Sequence, residues 1–287
     1  MKVGIVGLGL IGGSLAKAYK DADVTVFGID KDDLVTQFAL MAEAIDERLD
    51  DNNMKECDLI LVAINPVDAV KWFREKAPQI GKATIVIDCC GTKRTVCRAC
   101  FEIADEYGLT FMGGHPMAGK ERGGFKHSSA GLFRNAPFIL VPKHHDDMEL
   151  MCRVKEMIML AGFGRIGITT SEEHDKVIAF TSQMPHIISN GFIKSETALD
   201  DSQMISAGSY QDFTRVAYLD EKMWTQLFME NRDFLSAEIR GLIGRLTRYE
   251  EALEADDPDR LMKLLAEGKA CKTAVLKKCG PQQINGE

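Results

Sequence analysis

A short apolar run that opens into three spaced glycines constrains this chain more than any other stretch. Val3 to Val6 reads as a buried strand. Gly7, Gly9 and Gly12 follow in G-x-G-x-x-G spacing, and Leu15, Ala16 and Ala18 continue as a helix. Each glycine answers a separate demand: Gly7 a tight turn out of the strand, Gly9 close approach of the backbone to a pyrophosphate, Gly12 close packing of helix on strand. The helix N-terminus adds unpaired N–H groups and a positive dipole end. A second apolar strand, Val24 to Ile29, ends in Asp30, 18 residues past Gly12 and near the separation of a ribose-binding carboxylate. The pattern predicts a dinucleotide-binding turn. The competing reading is a glycine-rich turn in another kind of α/β protein, with an incidental acid.

A chain of 287 residues is long enough for two modest domains. Its net charge of −8 argues against a general nucleic-acid or membrane-surface binder, although a locally basic site can still take an anionic small substrate. No apolar run reaches the length of a membrane span. The chain opens directly on a strand, so no signal peptide and a cytoplasmic location are expected. Of the eight cysteines, Cys97 and Cys100 form a single C-x-x-C with no second pair at zinc spacing. Reduced thiols and no metal site are therefore expected, with a redox or metal role as the alternative.

Strand and helix signals alternate through the first half. Leu59 to Ile64, Thr84 to Ile87, Leu109 to Met112, Pro137 to Val141 and Gly164 to Ile168 read as strands. Thr95 to Tyr107 and Met148 to Leu160 read as helices. Such alternation implies βαβ units and a largely parallel sheet, with ligands outside the carboxyl ends of its strands. The loops beginning at Gly7, Asp30, Asn65, Asp88 and Gly113 should gather on that edge. After residue 168 the pattern is helical throughout: Ser171 to about Lys194, with Ser171 as a possible cap; Glu221 past Tyr249; and Asp259 to about Lys278, after a break at Asp257-Pro258. The expected fold is α/β, an N-terminal Rossmann-type doubly wound parallel sheet over residues 1–168. An all-α C-terminal domain over 169–280 and a tail over 281–287 follow.

Three places look chemical. His115 sits in Gly113-Gly114-His115-Pro116-Met117-Ala118-Gly119, directly after a strand. A histidine there can act as a general base near pH 7, or it can simply hold the turn. Ser182 and His186 are four residues apart on one helix face, with Asp175 near that face. This is either a polar stripe in a wet cleft or a solvent-facing stripe. Arg215 lies in a connection between long helices, as a bidentate partner for a carboxylate or as an ordinary surface arginine.

Taken together, these pieces resemble the prephenate dehydrogenase family, from Met1 to about Tyr249. The resemblance rests on Gly7-x-Gly9-x-x-Gly12 with Asp30 and on Gly-Gly-His115-Pro-Met-Ala-Gly. It continues through His174-Asp175 with Pro185-His186 twelve residues on, and through Asp212-Phe213-Thr214-Arg215 with Met223-Trp224 nine residues on. It implies NAD-dependent oxidative decarboxylation of prephenate to 4-hydroxyphenylpyruvate in tyrosine biosynthesis. His115 would be the catalytic base, Arg215 the carboxylate anchor, and His186 and Ser182 the pocket lining. Cofactor contacts would come from Gly7, Gly9, Leu10, Ile11, Gly12 and Asp30, and from Ala63 and Ile64. Asp30 favours NAD over NADP because it repels a 2′-phosphate. A homodimer through the helical domain is expected, with no nucleic-acid or membrane partner.

One motif departs from the family pattern Asp-x-Gly-Ser-x-Lys. Here the segment is Asp88-Cys89-Cys90-Gly91-Thr92-Lys93, with Gly91 in the serine's place and Thr92 one residue late as a substitute hydroxyl. Arogenate dehydrogenase is the nearest alternative. Another nicotinamide enzyme with a helical second domain and a non-catalytic NAD sensor are the more distant ones.

Overall fold

The computed structural model describes residues 1–120, 122–199 and 208–279; the expected tail 281–287 and the preceding Gly280 lie outside the described residues. The strands are β1 (Lys2–Val6), β2 (Thr25–Ile29), β3 (Glu47–Arg48), β4 (Leu59–Val62), β5 (Ile85–Asp88), β6 (Thr110–Pro116), β7 (Pro137–Val141) and β8 (Arg165–Ile168). They form one sheet in the order β3-β2-β1-β4-β5-β6-β7-β8. Every pairing is parallel except β6 with β7.

Alternation along the central strands splits the apolar residues between two faces. Ile5, Leu59, Leu61, Ile85 and Ile87 join one cluster with Leu15, Tyr19, Val154 and Ile158 from helices Leu10–Asp21 and Met148–Met159. Ile60, Val62 and Val86 join another with Phe73, Val96 and Ile103 from helices Pro66–Lys76 and Arg94–Tyr107. Helices thus cover both faces, which is the doubly wound arrangement. Burying each such large aliphatic side chain contributes about 1.5–3 kcal/mol. The registers Val6↔Val62, Val62↔Asp88 and Ile87↔Met112 put the carboxyl ends of β1, β4, β5 and β6 on one edge.

The structure differs from the sequence reading in four places. Strand β6 runs through Pro116, so His115 lies within a strand, opposite Ile139 of β7, and not in a loop. Gly113 and Gly114 look like loop glycines but are demanded by packing. A Cβ on Gly114 would lie 2.5 Å from Asp88 O, and one on Gly113 2.5 Å from Cys97 Sγ. The second difference is β3, too short and too polar to announce itself. Third, helix Ser171–Ile178 is capped by Thr170, whose Oγ1 accepts from the Glu173 N–H at 3.2 Å. It passes through a wide π turn, Ala179–Gln183, into Met184–Phe192.

Fourth, the single helix expected from Glu221 past Tyr249 is two, Glu221–Glu230 and Arg232–Glu254. Apolar periodicity runs across the joint and hides it. The break falls at Asn231, which is fully buried. Its Nδ2 donates to Asp175 O at 2.8 Å and to Gln183 Oε1 at 2.9 Å, and its Oδ1 accepts from Arg94 Nη2 at 3.0 Å. A buried amide with all its bonds made holds its place at the joint.

The chain divides into two compact units, Met1–Leu235 and Ser236–Glu287. In the second, the remainder of helix Arg232–Glu254 and helix Pro258–Cys279 form a hairpin. The Tyr249 hydroxyl donates to Leu264 O at 3.2 Å, and Arg248 pairs with Glu267. Among the described residues no helix is long and apolar enough to cross a membrane.

Candidate active site

The glycine turn is built as its spacing predicts. Gly7 has φ +84°, and a Cβ there would lie 2.6 Å from Ala63 O and 2.4 Å from Ile64 Cγ2. Gly12 cannot carry a Cβ, which would fall 1.7 Å from Gly7 O. Gly9 is different, because a Cβ there would meet nothing within 4 Å. The protein itself does not need glycine at this position, but a ligand lying against the turn would. Leu10 and Ile11 follow as the half-buried first residues of helix Leu10–Asp21, whose N-cap, Gly9, offers no side-chain acceptor to the first N–H groups.

Asp30, at the end of β2, is held by two backbone donors. Its Oδ2 accepts from Leu8 N at 2.7 Å and its Oδ1 from Asp32 N at 3.0 Å. A free helix N-terminus, an open flank at Gly9 and an oriented carboxylate one strand away fit a dinucleotide. Gly9→Ala is therefore expected to weaken nucleotide binding at least about tenfold, or 1.4 kcal/mol, while leaving the thermal midpoint in place. Fluorescence titration with the reduced nucleotide and a thermal melt check the two halves of that statement.

On the same sheet edge, His115 Nδ1 lies 2.9 Å from His174 Nε2, and His174 Nδ1 lies 2.8 Å from Asp175 Oδ1. His115 is half-buried, while His174 and Asp175 are buried. Asp175 also caps helix Arg94–Tyr107: its Oδ1 accepts from Lys93 N at 2.7 Å and its Oδ2 from Arg94 N at 2.9 Å. Burial raises the Asp175 carboxyl, but the His174 ring and these two N–H groups more than offset that and hold it below the usual carboxylate range. Burial, the neighbouring His174 and the Lys93 ammonium all push His115 well below the usual imidazole range. Burial likewise lowers His174, against the upward pull of Asp175. Both rings are thus neutral near pH 7, and His115 is free to accept a proton.

Lys93 and Asp88 form a fully buried ion pair. The Lys93 ammonium also donates to Gly114 O at 2.6 Å, next to His115. Asp88 accepts from Gly114 N at 3.2 Å and from Cys90 N at 3.0 Å. Burial works against the lysine's charge, but the carboxylate beside it keeps the ammonium above its ordinary value. Arg94 ties three elements together. It contacts Asp175, binds Asp233 through both Nη atoms at 2.7 and 2.5 Å, and stacks 4.4 Å from the Phe234 ring centre.

The remaining predicted residues lie just before helix Arg94–Tyr107, in the π turn, on helix Met184–Phe192 and on the turn Arg215–Ala217. Thr92 is buried, and its hydroxyl donates to Glu230, whose other oxygen accepts from Gln226 at 3.0 Å. Gly91 lies beside Leu227, 3.3 Å from where its Cβ would be. Ser182 sits in the π turn, and its carbonyl accepts from His186 Nδ1–H at 2.8 Å. That bond leaves Nε2 as the ring's acceptor. Trp224 of helix Glu221–Glu230 lies against the His186 ring, with centroids 3.9 Å apart. Arg215 is exposed on a 3₁₀ turn, Arg215–Ala217, that packs against helix Met184–Phe192, with Asn190 Nδ2 donating to Ala217 O at 3.3 Å.

Arg94, Glu230 and Asn231 carry no sequence signal of a place here. Lys93 is signalled only as the last residue of the Asp88–Lys93 motif, not as a buried partner of Asp88. Cys97 and Cys100 are buried free thiols facing the core.

Comparison with known proteins agrees with this geometry. A family model described as the nucleotide-binding domain of prephenate dehydrogenase matches residues 15–165, and one described as its dimerization domain matches 170–267. The cyclohexadienyl dehydrogenase of Zymomonas mobilis is 31% identical over 286 residues, covering 95% of each chain. The prephenate dehydrogenase of Bacillus subtilis is 28% identical over 92% of this chain and 73% of its own. Among solved structures, the prephenate dehydrogenase of Aquifex aeolicus, in complex with hydroxyphenyl propionate and NAD⁺, superposes with a TM-score of 0.79 at 24% identity. That superposition covers 96% of this chain and 98% of the other. A nucleotide cradle, a histidine on the same sheet edge, and two family models that between them reach from residue 15 to 267 lead to one conclusion: this chain is an oxidoreductase of the prephenate dehydrogenase family.

Proposed function

We propose that the chain oxidises prephenate with NAD⁺ to 4-hydroxyphenylpyruvate and carbon dioxide. The observation that carries this reading is the neutral His115, seated at the carboxyl edge of the sheet with one ring nitrogen engaged by His174 and the other available. NAD⁺ supplies the acceptor for the hydride that leaves the ring carbinol carbon. Gly7, Gly9, Leu10, Ile11, Gly12, Ala63 and Ile64 would hold it, with Asp30 on the adenosine ribose favouring NAD over NADP. His115 accepts the proton of the 4-hydroxyl as that carbon is oxidised. Aromatisation provides the driving force once the ring carboxylate departs as carbon dioxide and leaves its electron pair in the ring; the phenolate oxygen then regains the proton, so the protein's task is chiefly orientation and proton transfer.

Prephenate carries two carboxylates, and Arg215 is assigned to one of them. His186, with Nε2 available and its ring braced on Trp224, and Ser182 line the pocket. Thr92 completes the floor through its bond to Glu230.

The decisive assay follows NADH absorbance with prephenate and, separately, with arogenate, since a relative sharing nearly a third of the sequence is named for cyclohexadienyl substrates in general. Turnover of prephenate with NAD⁺, and a raised KM for prephenate in Arg215→Ala, are expected. Exclusive turnover of arogenate, or a preference for NADP⁺, overturns the assignment.

We further propose a homodimer. Its support is the dimerization-domain description over residues 170–267 and the exposed Ile243, Leu246 and Leu253 on the second unit. Sedimentation as a monomer at micromolar concentration would reject it.

A further inference from the structure

We propose that His174 and Asp175 act as positioning residues that fix His115 in the tautomer protonated at Nδ1, leaving Nε2 as the proton-accepting nitrogen; this rests on His115 being the base of the proposed reaction. A neutral imidazole has one donor and one acceptor nitrogen, and its neighbours decide which is which. The chain of bonds here has a single consistent direction. Asp175 is an ionised carboxylate, because a helix N-terminus holds two N–H groups against it and Arg94 stands beside it. An ionised carboxylate only accepts, so His174 Nδ1 must donate to Asp175 Oδ1 across their 2.8 Å contact. His174 is then an acceptor at Nε2, and the 2.9 Å contact requires a proton on His115 Nδ1.

The same order serves the reaction. When His115 takes a proton at Nε2 it becomes a cation inside the protein. Its Nδ1–H already points at a neutral acceptor backed by a carboxylate, so the new charge is met without rearrangement.

His174 is embedded between strand β6 and the N-terminus of helix Arg94–Tyr107, so the test pairs two variants. His174→Leu removes the acceptor. His174→Gln can place an amide oxygen where Nε2 now stands. In the full-length chain, ¹⁵N-histidine NMR without substrate is expected to show His115 protonated at Nδ1, with its signals assigned by their loss in His115→Asn. His174→Leu is expected to lower kcat about 10- to 100-fold, the usual scale for a group that orients another. Its KM for prephenate should stay within about twofold, and His115 should shift toward the Nε2-protonated tautomer. His174→Gln should restore most of kcat and the native tautomer.

A native His115 protonated at Nε2, or native kcat in His174→Leu, overturns the proposal. If His174→Leu does not fold, the native spectrum and His174→Gln decide the matter. If the tautomer behaves as stated while His115→Asn keeps full turnover, the relay stands and the assignment of His115 as the base falls.

Discussion

His115→Asn is expected to lower turnover by about 10² to 10⁴-fold, the range by which a positioned general base accelerates proton removal. Nucleotide affinity should be unchanged. Asparagine is the informative replacement because its amide sits where Nδ1 now lies and can still donate to His174 Nε2, 2.9 Å from the present donor. The buried bond is kept, and only the second ring nitrogen is lost. Any collapse of activity then reports on proton transfer and not on a hole in the site. The residue also stands well away from the glycine turn in the sheet, on β6, with β4 and β5 between it and β1. Steady-state kinetics together with a nucleotide titration measure both quantities. A kcat within twofold of the native chain would remove His115 from the mechanism.

The second large effect concerns stability. Lys93→Met leaves the Asp88 carboxylate at zero exposure with its cation gone and frees Gly114 O from its donor. Breaking a fully buried pair from one side typically costs about 3–5 kcal/mol, because the surviving charge has neither water nor a countercharge. A fall of that size is expected from urea unfolding. Adding Asp88→Asn should recover a large part of it. The amide is uncharged, yet its oxygen can still accept from Gly114 N or Cys90 N, which now donate to Asp88. Recovery in the double variant would identify desolvated charge as the cause. A single variant that loses less than about 1 kcal/mol would show that the pair matters little to folding.

The sheet and the nucleotide turn were legible because their signals are local. An apolar run followed by glycines at fixed spacing admits few backbones, and Gly7 and Gly12 meet the contacts that their spacing implies. Residue type and motif single out His115, His186 and Arg215 only as candidates. The strand context of His115 could not be seen, since two glycines before a histidine read as a loop until the atoms pressing on them are known. The supporting network was hidden for a different reason. Lys93 meets Asp88 over five residues of sequence, but Arg94 reaches Asp233 over 139 and Asn231 reaches Asp175 over 56. Nothing in a single sequence pairs residues at such separations. The joint at Asn231 was lost because apolar periodicity continues through it, and only a buried amide with satisfied partners marks the place.

The antiparallel pairing of β6 with β7 has a consequence for how members of such a lineage can diverge. Pairing with Ile139 of β7 seats His115 in the sheet, so the imidazole does not depend for its place on the connection that leaves Pro116 and returns at Pro137. The exposed residues of that connection can change their charges while His115 stays at fixed coordinates. Whatever the exposed part of that connection touches can therefore change while the placement of His115 is inherited intact.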